Sequence, residues 1–297
     1  FLTADMVARA MGVELNSPVR VNASVQYILK QSASEGHTYL PKEVLIQQVK
    51  RMTGVQEDAA ENAVTELALK GKAAIVEYDG KKCVYHEAFY YAEKYIANKL
   101  ISMINQTIYT KKCDFKLVES CCSAYERENG IKLHTEQFNA VKMAVEAPVS
   151  IITGGPGTGK TTIIKCLLDI FDRMDQRTEL AAPTGRAAKR MAETTGRTAQ
   201  TLHRLLEYDY NGDNNYSFSR DDSNPLDCDV LIIDEMSMVD TMLMFYTLKA
   251  SSVTMKIIFV GDEDQLPSVG PGNVLHDLIA SKALPCTKLI EIYRQDN

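Results

Sequence analysis

The amino-acid sequence predicts an α/β fold, a parallel sheet covered on both faces by helices, preceded by a smaller and mainly helical domain. Three observations carry this. From residue 115 onward, short apolar β-branched runs alternate with segments of helical period, the pattern of strands buried on both faces. A glycine-rich turn, Gly154 to Thr161, joins one of these runs to an amphipathic stretch. Before residue 110 helical patterns dominate, broken by one two-residue turn between extended runs.

A chain of 297 residues has room for two domains, and 45% hydrophobic with 24% charged residues is ordinary for a globular protein. No apolar run approaches the roughly 20 residues needed to cross a bilayer, so a cytoplasmic protein without a membrane partner is expected. The chain opens on Phe1-Leu2-Thr3 without a basic-then-apolar leader, and it is read as a fragment of a longer protein. Seven cysteines with no C-x-x-C spacing fit neither a disulfide framework nor a zinc site. Cys121 and Cys122 are expected to pack as small apolar groups. A net charge of −6 argues against a generic basic surface, but several acids fall in Asp234-Glu235 and Asp262-Glu263-Asp264, where a bound cation would offset them.

In chain order, residues 1–12 read as a helix closed by Gly12, and 1–15 as the tail of a helical unit that begins earlier. Ser17-Pro18 opens a helix that runs to about residue 34, since proline suits the first helical position. Pro41 opens the next, through Met52, and a third runs from about Gln56 to Lys70, ended by Gly71. Residues 73–78 and 82–86 flank Asp79-Gly80, a hairpin turn. Three helices and a hairpin make residues 16–110 a winged-helix-like domain with an exit helix. Phe89, Tyr90, Tyr91 and Tyr95 on that helix are read as packing residues rather than a base-stacking platform. A linker at 111–114 leads into the second domain, 111–297. Its strands are placed at 149–153, 179–182, 229–234, 256–261 and near 287–291. Polar turn residues at 211–215 and 221–225 mark a surface excursion.

The chemistry starts at the glycine-rich turn, which fits G-x-x-x-x-G-K-[ST] between a strand and a helix. Gly155, Pro156, Gly157, Thr158 and Gly159 let successive backbone N–H groups converge on one anion, and the helix that follows adds its positive end. Lys160 would hold β- and γ-phosphates, and Thr161 would ligate Mg²⁺, with Thr162 beside them. Residues 229–235 deliver two carboxylates at the C-terminal end of a strand, where ligands of such sheets bind. Asp234 would hold Mg²⁺, and Glu235 would deprotonate the attacking water. After the strand at 256–261, Gln265 can accept from water and donate to phosphate at once, which suits a sensor of the γ-phosphate.

These motifs continue in order through Ala182-Pro-Thr-Gly-Arg-Ala-Ala-Lys-Arg190, Thr201-Leu-His-Arg-Leu205, Asp234-Glu-Met-Ser-Met-Val-Asp240, the run from Gly261 to Asn273 and Ile290-Glu-Ile-Tyr-Arg-Gln295. Together they resemble the first RecA-like motor domain of the RecD-like DNA helicases in superfamily 1. The resemblance covers about residues 131–297 and implies ATP as the nucleotide and single-stranded DNA as the partner. It further implies that Gln137 reads the adenine edge, that Tyr293 stacks on the adenine and that Arg294 reaches the γ-phosphate. Pro183, Thr184, Gly185 and Arg186 would grip the strand backbone, with Thr201 and His203 in the next DNA-facing motif. A structural role for His203 is as well supported by its residue type. The expected protein is thus an ATP-dependent 5′-to-3′ helicase, of which the second motor domain follows the end of this chain. Half a motor is expected to bind ATP–Mg²⁺ weakly, hydrolyse it slowly and leave duplexes intact.

Three other readings were weighed. The chain could be the α subunit of an exonuclease V complex, with partner subunits, although the long N-terminal part favours a stand-alone form. A nucleotide kinase also uses a phosphate loop but has little use for Asp234-Glu235 and Gln265. A non-motor DNA-binding protein switched by nucleotide would keep its activity when Glu235 is changed to Gln.

Overall fold

A computed structural model describes residues 1–106, 115–211 and 215–292. The chain forms two compact units, Phe1–Lys94 with Ser268–Gly272 and Tyr95–Pro267 with Asn273–Asn297.

The first unit holds α1 (Leu2–Ala10), α2 (Pro18–Ser34), β1 (Tyr39–Pro41), α3 (Lys42–Thr53), α4 (Glu57–Leu69), β2 (Ala73–Tyr78) and β3 (Lys81–His86). Its strands pair antiparallel in the order β1-β3-β2. Asp79 and Gly80 both have positive φ, as the two central positions of a tight hairpin demand. The helices follow the sequence signals to within a residue or two, and Pro41 is at once the last residue of β1 and the N-cap of α3. Proline has no N–H to give a ladder, and at a strand end none is required. Val25, Leu45, Val49, Val64 and Val84 fill this unit's core at zero exposure. No residue of α1 is buried. That helix is held by Asp5, whose carboxylate accepts from Arg20 Nε at 2.6 Å and Nη2 at 2.9 Å. Arg20 also donates to the carbonyls of Leu15 and Thr53, and beside it the Asp5 carboxyl is held below its ordinary range.

α5 (Glu87–Asn105) enters the second unit at Tyr95. There follow α6 (Phe115–Asn129), α7 (Thr135–Glu146), β4 (Val149–Gly154), α8 (Lys160–Arg173), β5 (Thr178–Ala182), α9 (Gly185–Thr195), β6 (Ala199–Thr201), α10 (Leu202–Leu205), β7 (Tyr208–Asn211), β8 (Asn215–Phe218), β9 (Val230–Ile233), α11 (Thr241–Lys249), β10 (Lys256–Gly261), α12 (Val274–Ser281) and β11 (Cys286–Leu289). Six strands form one sheet in the order β11-β4-β10-β9-β5-β6, every neighbouring pair parallel. The chain leaves β4 through α8 and lands on β5, three places further on, so β10 and β9 are inserted later between them. All six C-terminal ends therefore line one edge, which is where an open α/β sheet places its ligands.

The strands read as continuous apolar runs because each face meets its own core. Ile151, Leu231, Ile233, Ile257 and Phe259 face one cluster, whereas Ile152, Val230, Ile232, Ile258 and Val260 face the other. Cys121, Cys122 and Cys166 are buried in the second of these. Ile96, Leu100 and Met103 of α5 join the first. Tyr95 packs against Phe245 at 5.0 Å between ring centres, and its hydroxyl donates to Asp222. This is the packing role read from its helical spacing.

Two features were missed in the sequence. β6 is only three residues long, too short for a periodic signal. The residues flanking the excursion pair as antiparallel strands β7 and β8, with Tyr208 opposite Phe218. Aromatics at 208, 210, 216 and 218 gave the period-two signal, and the run of Asn, Gly and Asp between them masked it. The linker expected at 111–114 lies outside the described residues.

Candidate nucleotide-binding site

β4 ends at Gly154, whose backbone faces Leu289 of β11. A Cβ at Gly154 would lie 2.8 Å from Thr158 Oγ1 and 2.9 Å from the Leu289 carbonyl oxygen, so only glycine allows the strands to close there. At Gly155 a Cβ meets nothing within 4 Å. Gly154→Ala is therefore expected to lower the urea midpoint, by the about 1–3 kcal/mol typical of overpacking. Gly155→Ala should leave it nearly unchanged. Equal effects would mean that close approach is not why residue 154 is glycine.

The turn then curls through Gly157 and Gly159 at φ 83° and 86°, and α8 begins at Lys160. The Lys160 ammonium donates to the carbonyls of Gly154 and, at 3.0 Å, Gly155. Burial lowers its pKa, against the pull of Asp262, Asp234 and Glu235. Thr158 donates to the Gly155 carbonyl at 2.9 Å. Gln137, buried at 4% exposure, spans the loop and α7: its Nε2 donates to the Thr158 carbonyl at 3.3 Å and its Oε1 accepts the His134 N–H at 3.1 Å. One amide hydrogen and one lone pair of Gln137 are left by these bonds.

β9 lies two places from β4, and it delivers Asp234 and Glu235 to the same edge. The Asp234 N–H donates to the Ala181 carbonyl at 2.9 Å, and Asp234 Oδ1 accepts the Glu235 N–H at 2.9 Å. Glu235 is in the left-handed region, φ 54° and ψ 43°, a conformation that costs a residue with a side chain about 1–2 kcal/mol. Strain of this kind at a strand end points to a demand on the carboxylate's position. Burial raises the Asp234 pKa, with the Glu235 charge adding to it and Lys160 opposing it. A carboxyl whose folded pKa is raised takes stability away as pH rises through its ordinary range toward the folded value. Above the carboxyl's ordinary range the ligand-free protein carries that cost. Asp234→Asn should then melt higher in chelator-containing buffer, by about 2–4 °C for each kcal/mol relieved. A lower melting temperature would show that Asp234 is well compensated by its neighbours.

β10 ends at Gly261, where a Cβ would stand 2.9 Å from Leu275. Asp262 follows at 4% exposure, and its Oδ1 accepts the Asp264 N–H at 3.1 Å. Thr153 Oγ1 accepts the Glu263 N–H, tying this loop to β4. Gln265 accepts from the Ser237 hydroxyl at 3.4 Å, and its Nε2 lies 3.5 Å from Asp262. In the sequence Asp262 had only a share in an acidic run and Ser237 had no role, although both lie within motifs quoted above.

Beyond β9 the edge continues along β5 and β6, whose ends repeat one device. Thr184 Oγ1 accepts the Ala187 N–H and caps α9, while Thr201 Oγ1 accepts the Arg204 N–H and caps α10, both at 3.2 Å. Each hydroxyl keeps its own proton to donate. Ala182 is in register with Thr201, so the two caps sit side by side. Pro183 precedes the first cap, and Gly185 and Arg186 open α9. His203 is exposed, with Tyr208 and Phe218 rings at 5.8 and 5.9 Å. Tyr293 and Arg294 lie outside the described residues.

One hydroxyl, Thr161, and one carboxylate, Asp234, begin the site's α8 and end its β9. That donor set fits Mg²⁺, which keeps several waters and phosphate oxygens in its shell. Among the described residues no group of three or more His, Cys, Asp or Glu forms a protein-only metal cage.

A family profile described as an AAA domain matches residues 137–271, and one described as the ATP-dependent RecD2 DNA helicase HHH domain matches residues 1–39. Over 99% of its length the chain is 34% identical to the ATP-dependent RecD2 DNA helicase of Deinococcus radiodurans. The chain belongs to the RecD-like helicase family. This RecD-like chain spans 41% of that relative's length. Over 48% of the chain it is 38% identical to the RecBCD enzyme subunit RecD of Mycolicibacterium smegmatis, covering 30% of that protein. A slighter likeness, TM-score 0.40 at 24% identity over 56% of this chain and 41% of the other, is to a crystal structure of the Pif1 helicase from Candida albicans. Among the described residues no helix is long and apolar enough to cross a membrane.

Proposed function

We propose that this RecD-like chain is the nucleotide-hydrolysing motor part of an ATP-dependent 5′-to-3′ DNA helicase, with Mg²⁺ as cofactor and single-stranded DNA as partner. The observation that supports this best is the shared edge: Lys160, Asp234, Glu235 and Gln265 follow the C-terminal ends of three adjacent strands, β4, β9 and β10, with two capped helix starts beside them.

Lys160 exchanges the Gly154 and Gly155 carbonyls for β- and γ-phosphate oxygens. Thr161 and Asp234 would hold Mg²⁺, which offsets phosphate charge when bound. Glu235, fixed by its backbone, takes the proton from the attacking water. Gln265 responds to the γ-phosphate and passes its state to Ser237 and Asp262. Gln137 adds the purine to this set, because the amide that would read adenine also supports the loop through Thr158. Tyr293 and Arg294, from the family resemblance, complete the adenine and γ-phosphate contacts. On the strand side, Thr184 and Thr201 donate to successive backbone phosphates with Pro183, Gly185 and Arg186, and His203 stands next to them.

The match along nearly the whole chain is to a relative named as an ATP-dependent RecD2 DNA helicase, whereas the RecD subunit of the M. smegmatis RecBCD enzyme matches about half of it. This favours a stand-alone enzyme over a subunit of a nuclease complex. ATP hydrolysis by the full-length protein should rise severalfold on adding single-stranded DNA, with the stimulation falling as salt rises. Hydrolysis indifferent to DNA at every salt concentration would overturn the proposal.

A further inference from the structure

Gln265, read above as the sensor of the γ-phosphate, is exposed and weakly held. Among the described residues its side chain hydrogen-bonds only to the Ser237 hydroxyl at 3.4 Å and to Asp262 at 3.5 Å, both at the limit of such a bond. Where its amide stands is therefore set by the loop backbone. Glu263, two residues earlier, ties that backbone down twice. Its N–H donates to Thr153 Oγ1 at 3.1 Å, and its carboxylate accepts from the Lys288 ammonium. Strand register explains why one residue reaches both. Thr153 of β4 is opposite Gly261 of β10 on one side and Lys288 of β11 on the other. From the loop after β10, the Glu263 side chain thus crosses the end of β4 at the residue before Gly154.

Both ends of this strap are anchored. Thr153 is buried, at 1% exposure. Past Lys288, the Ile290 N–H donates to Glu136 Oε2 of α7 at 3.1 Å, one residue from Gln137. Stability gives little reason for the pair. The Lys288 side chain is 52% exposed and that of Glu263 19%, and ion pairs that water reaches add little to folding. A bias of that small size is nonetheless enough to choose among the conformations of an exposed loop.

We propose that Glu263 and Lys288 are positioning residues for hydrolysis: their ion pair, laid across the end of β4, holds Gln265 where it meets the γ-phosphate. This rests on the motor reading above. Neither side chain touches the nucleotide. Binding is carried by Lys160 and the N–H groups of the phosphate loop, so loss of the pair slows turnover and leaves affinity alone.

Glu263→Gln, Lys288→Met and the double variant test this in the full-length protein, alone and combined with Gln265→Ala, by steady-state ATP hydrolysis with single-stranded DNA. Each single change should lower kcat about fivefold, the factor an ion pair of this exposure can supply, with KM and the affinity for fluorescent ADP kept within about twofold. The double variant should be no slower than either single one. Neither change should slow Gln265→Ala further, because residues that act through one another are not additive. The melting temperature should fall by no more than about 4 °C, and a larger fall would make the pair structural. An unchanged kcat, losses that add to that of Gln265→Ala, or full turnover in Gln265→Ala would each sink the assignment. So would a raised KM with weaker ADP binding, which places Lys288 on the nucleotide. Lys160→Ala tells the two levels apart. Hydrolysis that survives this change would put the nucleotide site elsewhere and end the motor reading as well. If Lys160→Ala abolishes hydrolysis and Gln265→Ala slows it, while the pair variants turn over normally, only the positioning assignment fails.

Discussion

Glu235→Gln is expected to leave ATP bound and to cut its turnover by about 10²–10⁴-fold, the range over which a positioned general base contributes. Glutamine keeps the size and can still hold a water, but it cannot take the proton. The left-handed backbone at position 235 would be unchanged, because it belongs to the strand end and the turn at Met236–Met238 rather than to the carboxylate. Two measurements in the full-length protein check this: equilibrium binding of a triphosphate analogue, which should be within a few-fold of the original, and steady-state phosphate release with and without single-stranded DNA. Retained turnover would transfer the base role to another group, and Asp262 would be the first to test. Lost binding would instead mean that Glu235 holds the nucleotide or its metal.

Phe171→Ala should be the most damaging single truncation in the fold, lowering stability by about 3–5 kcal/mol. Phe171 has no exposed surface and lies in the last turn of α8, among Ile163, Ile164, Leu167 and Ile170. Those residues recur every three or four positions and fix α8 to the sheet. Removing the ring leaves a cavity that a close-packed core fills only in part. For a unit of this size the melting temperature should fall by about 2–4 °C per kcal/mol, near 10 °C in all. Calorimetry without ligand measures it, with Tyr91→Ala as the control. Tyr91 is 60% exposed, and its truncation should fall within about 0.5 kcal/mol. A small effect at Phe171 would show that α8 repacks. Triphosphate affinity is a second readout, since Lys160 and Thr161 start the same helix.

Much of the fold was legible because its signals are local. The buried strands at β4, β9 and β10 are mostly apolar runs, and the proline and glycine signals bounded the helices of the first unit to within a residue or two. The placement of Lys160, Thr161, Asp234, Glu235 and Gln265 just past strand ends was legible for the same reason, as each is written at a fixed offset from a strand. Where the sequence misled, a short-range cue outweighed a weaker one. Pro41 read as a helix start, which hid that it also ends β1, and the asparagine-rich run concealed the alternating aromatics of β7 and β8.

Residue types and their spacing thus determined by themselves that this protein has a parallel α/β sheet with a phosphate loop and two strand-end carboxylates. Spacing along the chain sets hydrophobic period and turn chemistry, and those decide local structure. Only the tertiary structure decided that Gly154 must be glycine for the sake of Leu289 and that Gln137 supports the phosphate loop. Each of these joins residues far apart in sequence, and strand order alone, with β10 and β9 inserted between β4 and β5, brings them to one edge.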